Sequence, residues 1–178
     1  MQAGTARADI TPSRPVWMDG MIRAHRSRGV HDPLFARALV IGDSPPTGLW
    51  AVVSVDVCAL RPQDCRRARE RASRRSGIPV SQTIVTTTHN HSGPATMGYF
   101  NASEPEYTAQ LLETLADLVV QAAYSLRPAL VGCGSGREDT VSHYRRLLHR
   151  DRHVVMNWEQ VPPDTIVRPL GEPDPEVG

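Results

Sequence analysis

The 178-residue sequence predicts an α/β fold, a layered mixed β-sheet with packed helices, on three observations. Short β-branched and apolar runs recur between clusters of Gly, Pro, Asp and Ser. Two helix-compatible segments are interleaved with those runs. The length suits one domain of ordinary size with a sizeable core, so residues 1–178 are taken as a single unit.

The elements follow in chain order. Residues 36–41 (ARALVI) and 49–57 (LWAVVSVDV) read as neighbouring antiparallel strands, because the intervening GDSPPTG has the composition of a turn. Residues 62–76 (PQDCRRARERASRRS) are compatible with a helix that stops at Gly77 and Pro79. Residues 80–88 (VSQTIVTTT) form a third strand. Residues 103–126 form a long helix, with Ser103 and Glu106 spaced as a capping box and Leu111, Leu112, Leu115, Leu118, Val119 and Ala122 on one buried face. A fourth strand is expected at 129–133 (ALVGC). It runs into Gly132-Cys133-Gly134-Ser135-Gly136, whose spacing is not that of a phosphate-binding loop.

Bulk charge narrows the partners. Twenty Lys and Arg against nineteen Asp and Glu leave a formal net charge of +1, so no basic field attracts nucleic acid. The arginines of 62–76 read as a solvated helix face, since no aromatic residues are interleaved for stacking on bases. Three cysteines, Cys58, Cys65 and Cys133, lack a C-x-x-C spacing and are read as reduced thiols. No apolar stretch is long enough for a membrane span, and the opening MQAGTARADITP lacks the pattern of a secretory leader, so a cytoplasmic protein is expected.

Candidate chemistry gathers at two strand ends. In Thr88-His89-Asn90-His91-Ser92-Gly93-Pro94 two imidazoles are one residue apart, and side chains at that spacing on a strand share a face. His89 and His91 could therefore reach one ion, imidazole being a common zinc ligand, although a catalytic zinc needs about three protein ligands and an open position. His31, in the loop Gly29-Val30-His31-Asp32-Pro33, is presented toward a cleft. Asp56 closes the strand 49–57, where a carboxylate either faces a site or shapes a turn. His25, His143, His149 and His153 lie among arginines and read as solvated.

Taken in order, Ala6-Arg7-Ala8-Asp9-Ile10-Thr11-Pro12, Gly29 to Ala38, Val53-Ser54-Val55-Asp56 and Thr88 to Pro94 resemble the N-terminal part of the neutral, non-lysosomal ceramidase family and its bacterial relatives. That resemblance implies a zinc-dependent amidase acting on a lipid or other small-molecule amide, its zinc held by two histidines, a glutamate and a tyrosine. It assigns the two imidazole positions to His31 and His91, with His89 and Asp56 as neighbours lining the site. The family's N-x-G-D-x-S-P serine motif and its glutamate and tyrosine segments have no counterpart in these 178 residues. Gly42-Asp43-Ser44-Pro45 mimics part of the serine motif without its asparagine. The expectation is the N-terminal portion of one such catalytic domain, inactive alone. The rival readings are a barrel-type metal-dependent amidohydrolase and a non-catalytic metal-binding fragment.

Overall fold

The computed structural model describes residues 1–43 and 45–178, so the Gly42-Asp43-Ser44-Pro45 mimic of the serine motif lies, at Ser44, outside the described residues. The chain divides into two compact units, Met1–Leu130 and Val131–Gly178.

In the first unit the elements are β1 (Gln2–Asp9), β2 (Phe35–Gly42), β3 (Leu49–Val55), α1 (Pro62–Ser76), β4 (Thr83–Thr87), α2 (Pro105–Tyr124) and the two-residue β5 (Arg127–Pro128). They form a mixed five-stranded sheet of order β4-β3-β2-β1-β5 with both helices packed on it. β2 and β3 are the expected antiparallel pair, in register from Ala36↔Val55 to Gly42↔Leu49. β4 lies parallel to β3, which requires the α1 crossover between them. An open sheet with three antiparallel strand pairs is not a closed parallel barrel, so the barrel reading is set aside.

Strand alternation decides which face is covered. Ala36, Ala38 and Val40 of β2 and Ala51, Val53 and Val55 of β3 are buried and join one core with Leu111, Leu112, Leu115, Leu118 and Val119 of α2. The opposite face leaves Leu39, Trp50 and Ile84 exposed. On α1 the residues facing inward are Asp64, Ala68 and Ala72, four apart. The small alanines admit α2 closely, while Arg71 pairs with Glu113 at 3.1 Å and Arg75 with Asp117 across the helix interface.

Several sequence expectations change, beginning with the strand expected over 80–88, where Val80–Gln82 form a 3-10 turn and the strand covers Thr83–Thr87. β1 is missing from the sequence reading, yet it lies between β2 and β5 in the sheet. The strand expected at 129–133 does not form: pairing with β1 stops at Pro128, and Leu130 is fully exposed. The capping box at Ser103 is replaced by Glu104 at the N-cap position and Pro105 in the first turn, where a missing N–H costs nothing. Glu104 instead turns its buried carboxylate toward the 14–27 loop, accepting the Trp17 N–H at 2.8 Å and pairing with Arg26 at 3.0 Å. Glu106 pairs with Arg14.

The second unit holds β6 (Gly136–Arg137), β7 (Arg146–His149), β8 (Val154–Met156), β9 (Ile166–Pro169) and β10 (Glu176–Val177). β7 is the centre of an antiparallel sheet of order β8-β7-β9, and β6 pairs with β10. Among the described residues no helix is long and apolar enough to cross a membrane.

Candidate functional site

β3 and β4 run parallel, in register to Val55↔Thr87, so their carboxyl ends emerge side by side. In open α/β sheets that edge is where ligands bind. The two exits are stitched together: the Thr88 N–H donates to the Val55 carbonyl at 3.0 Å, and the Thr87 hydroxyl donates to the Cys58 carbonyl at 3.2 Å.

Past Thr88 the chain leaves the strand. His89 takes a left-handed backbone, φ 59°, a conformation that costs a residue with a β-carbon about 1–2 kcal/mol. The turn carries the His89 ring back to the β3 exit, where Nδ1 meets the Cys58 carbonyl at 2.9 Å. A carbonyl only accepts, so Nδ1 carries the proton and the neutral ring keeps its lone pair on Nε2. That Nε2 faces the Nε2 of His91 at 3.2 Å, with the rings edge to face at 72°. Asn90, between them, accepts the Ser92 N–H at 2.7 Å and thereby sets the turn.

His91 is held from the other side by the segment 17–23. Met18 bridges Pro94, and the Ala95 N–H donates to the Trp17 carbonyl at 2.7 Å. Gly20, at φ +95°, sits against the His91 ring so closely that an added β-carbon would stand 2.4 Å from its Cγ. Arg23 donates through Nη2 to the His91 carbonyl at 2.7 Å. Asn101 donates to the carbonyls of Met18 and Met21 and closes this loop. Gly93 lets the Ser-Gly-Pro turn press on the β3 exit, where a β-carbon would meet the Asp56 carbonyl at 3.0 Å.

Cys58, His89 and His91 bring one candidate ligand atom each within 4.8 Å of one another. Cys58 is the weakest of the three. Its thiol pKa is raised, chiefly by burial and then by the negative charge of Asp19, which favours the protonated sulfur while no ion is bound. Asp19 is itself buried: its Oδ2 accepts the Met97 N–H at 2.7 Å, while Oδ1 has no partner among the described residues.

The structure brings His89 and His91 together but leaves His31 outside their group. The His31 side chain is 97% exposed and its Nδ1 is 2.7 Å from Asp32, whose hydrogen bond and charge raise the imidazole pKa. It lines a cavity of about 590 Å³ with Val16, Met18, Leu34, Asn90 and Ser92, so the cavity borders the H-x-H turn. Asp56 anchors strands: its Oδ2 accepts the Phe35 N–H at 2.9 Å and lies 3.3 Å from Arg37, tying the end of β3 to the start of β2. Sequence reasoning did not single out Cys58, Gly20 or Arg23, which lie 31, 71 and 68 positions from the histidine each contacts; only the folded chain joins them.

No protein-family model and no curated protein sequence matches the chain. Solved structures do. Neutral ceramidase from Pseudomonas aeruginosa aligns over 84% of this chain with a TM-score of 0.67 and 20% identity. A ceramidase complexed with C2 aligns over 84% with the same TM-score and 21% identity. At such identity the likeness is one of fold, and it confirms the layered α/β architecture. The chain spans about a quarter of the length of these structures, 25% and 24%.

Proposed function

We propose that this chain carries the imidazole part of a zinc-dependent amide hydrolase centre of the neutral ceramidase kind, and corresponds to the N-terminal part of such a domain. The observation that carries this reading is the 3.2 Å between the Nε2 atoms of His89 and His91. Two nitrogens each ~2.0–2.1 Å from one tetrahedral zinc stand about 3.3–3.4 Å apart, so the pair fits the ion with little movement. The Cys58 carbonyl on His89 Nδ1 is the outer hydrogen bond that orients a ligating imidazole and fixes its tautomer.

His91 keeps the ligand role that the resemblance implies. Its nearest imidazole partner is His89, and His31 on this reading belongs to the substrate cavity. Zinc bound at the pair would lower the pKa of a water and polarise an amide carbonyl. The protein's part is to hold the two imidazoles, to orient them through Cys58 and Gly20, and to receive the substrate beside them. A cavity of about 590 Å³ walled by Val16, Met18, Val30 and Leu34, with Arg14 and Arg28 on its rim, suits the polar head and first carbons of a lipid amide.

No carboxylate belongs to the described group around the pair. Two imidazoles are fewer ligands than a catalytic zinc needs, so these 178 residues alone bind the ion and do not turn over substrate. The test is zinc calorimetry combined with release of a fluorescent fatty acid from an N-acyl sphingoid amide. His89→Ala and His91→Ala each abolish the zinc-binding event at this pair, His31→Ala retains it, and none of the proteins hydrolyses the amide. Zinc binding that depends on His31 and not on His89, or hydrolysis by the chain that His91→Ala removes, overturns the reading.

A further inference from the structure

The second unit contains a separate cluster of metal-ligating side chains. β7 and β8 form a hairpin in register through Leu148↔Val154, and the next residues along, His149 and His153, close its loop. The His149 N–H donates to the His153 carbonyl at 3.0 Å and the Arg152 N–H donates to the His149 carbonyl at 2.9 Å. Arg152 has φ 65°, so this is the three-residue hairpin loop whose last residue is left-handed. The loop geometry sets the two histidines opposite each other on one side of the ribbon, where directly opposed side chains meet. Their ring centroids are 4.4 Å apart at a tilt of 34°.

Asp151 completes the cluster from within the loop, its Oδ2 lying 3.5 Å from His149 Nδ1. One ligand atom from each of His149, Asp151 and His153 lies within 4.8 Å of the other two. The sequence His149-Arg150-Asp151-Arg152-His153 interposes two arginines, whose charge would oppose a cation. Arg150, however, is turned onto Asp164, donating to its backbone carbonyl at 2.6 Å and to its Oδ2 at 3.2 Å.

We propose that this hairpin tip is a binding site for a divalent transition ion of the zinc type, held by His149, Asp151 and His153. Two imidazole nitrogens and one carboxylate oxygen form the donor set that suits zinc and its neighbours; calcium and magnesium take oxygen ligands almost exclusively. The side chain of His149 is 11% exposed and gives the site a fixed wall, whereas Asp151 and His153 are open to solvent and admit the ion. The ion takes the Nδ1 lone pair of His149 that otherwise accepts the Asp151 N–H at 3.2 Å. The unit has reason to use such a clip: within 131–178 Val155 is the one buried hydrophobic residue among those described, so a cross-link at the hairpin adds stability that its core does not supply.

The site is tested in the full chain carrying His89→Ala and His91→Ala, which removes the other imidazole pair. Cobalt(II) absorption and zinc calorimetry should report one ion per chain. Adding His153→Ala or Asp151→Ala, both exposed positions that leave the fold intact, should weaken binding at least about tenfold, since even an outer partner is worth about 10–100-fold to a metal site. In the parent chain, zinc should shift the imidazole nitrogen resonances of His149 and His153, with those of His25 and His143 unmoved. Absence of binding in the double variant, or affinity unchanged by His153→Ala, overturns the proposal.

Discussion

The Nε2 atoms of His89 and His91 meet at 3.2 Å because His89 leaves the strand with a left-handed backbone and donates Nδ1–H to the Cys58 carbonyl. The Nε2 lone pair of His89 then faces His91, whose Nε2 can join it on one cation once the His91 proton sits on Nδ1. Protons compete with the ion for imidazole nitrogens, so zinc affinity at the pair should fall as the pH is lowered. Calorimetry at pH ~7.5 and ~5.5 checks this, with binding at the lower value reduced at least about tenfold.

Gly20 tests how tightly His91 is held. Alanine there meets the ring at 2.4 Å and must adopt φ +95°, so Gly20→Ala should displace His91 and weaken zinc binding. The backbone penalty alone is about 1–2 kcal/mol of stability. A lowered melting temperature with zinc affinity unchanged would show that the Gly20 contact does not position His91.

Asp56 separates strand anchoring from lining the site. Removing its carboxylate in Asp56→Ala leaves the Phe35 N–H without its partner and releases Arg37, which should cost about 1–3 kcal/mol in denaturant unfolding. Zinc affinity should not change. A loss of zinc affinity with stability intact would restore Asp56 to the site that its strand-end position suggests.

The sequence carries β2 and β3 clearly as short apolar, β-branched runs flanking a turn, α2 by its leucine period, and α1 by its stop at Gly77, which forms a left-handed cap. β1 is hard to see because its inward positions are Gly4, Ala6 and Ala8, too small to register as a hydrophobic alternation. Ala129 to Cys133 has strand-like residues but pairing along β1 ends at Pro128, and residue type alone does not supply a partner. The histidine pair is legible as H-x-H, yet its convergence comes from a left-handed turn and not from strand alternation. His149 and His153 are hidden by flanking arginines until the hairpin register sets them opposite each other.

The core prediction contrasts two leucines. Leu115 is 1% exposed among β2, β3 and α1, whereas Leu130 is wholly exposed. Leu115→Ala should cost about 2–5 kcal/mol, through lost burial and the cavity left behind. Leu130→Ala should stay within ~0.5 kcal/mol of the parent. Equal losses at the two positions would mean that 129–133 packs as a strand after all.

Tyr107 links the loop after β1 to α2, its hydroxyl donating to the Ile10 carbonyl at 2.7 Å. Burial, reinforced by the charge of Asp9, pushes the phenol pKa far above its ordinary value of 10.0. The folded state therefore binds this proton more tightly than the unfolded chain. Its contribution is intact below pH ~10 and is lost progressively above it, as the unfolded chain gains the option of ionising. Tyr107→Phe should remove that alkaline decline. At neutral pH it should cost about 1–3 kcal/mol, because the Ile10 carbonyl keeps no donor in its place. Denaturant unfolding of both proteins at pH ~7 and ~10.5 reads the two effects separately. A parent chain whose stability changes no more than the phenylalanine variant between those conditions would show that the phenol is not held in the folded state as its hydrogen bond requires.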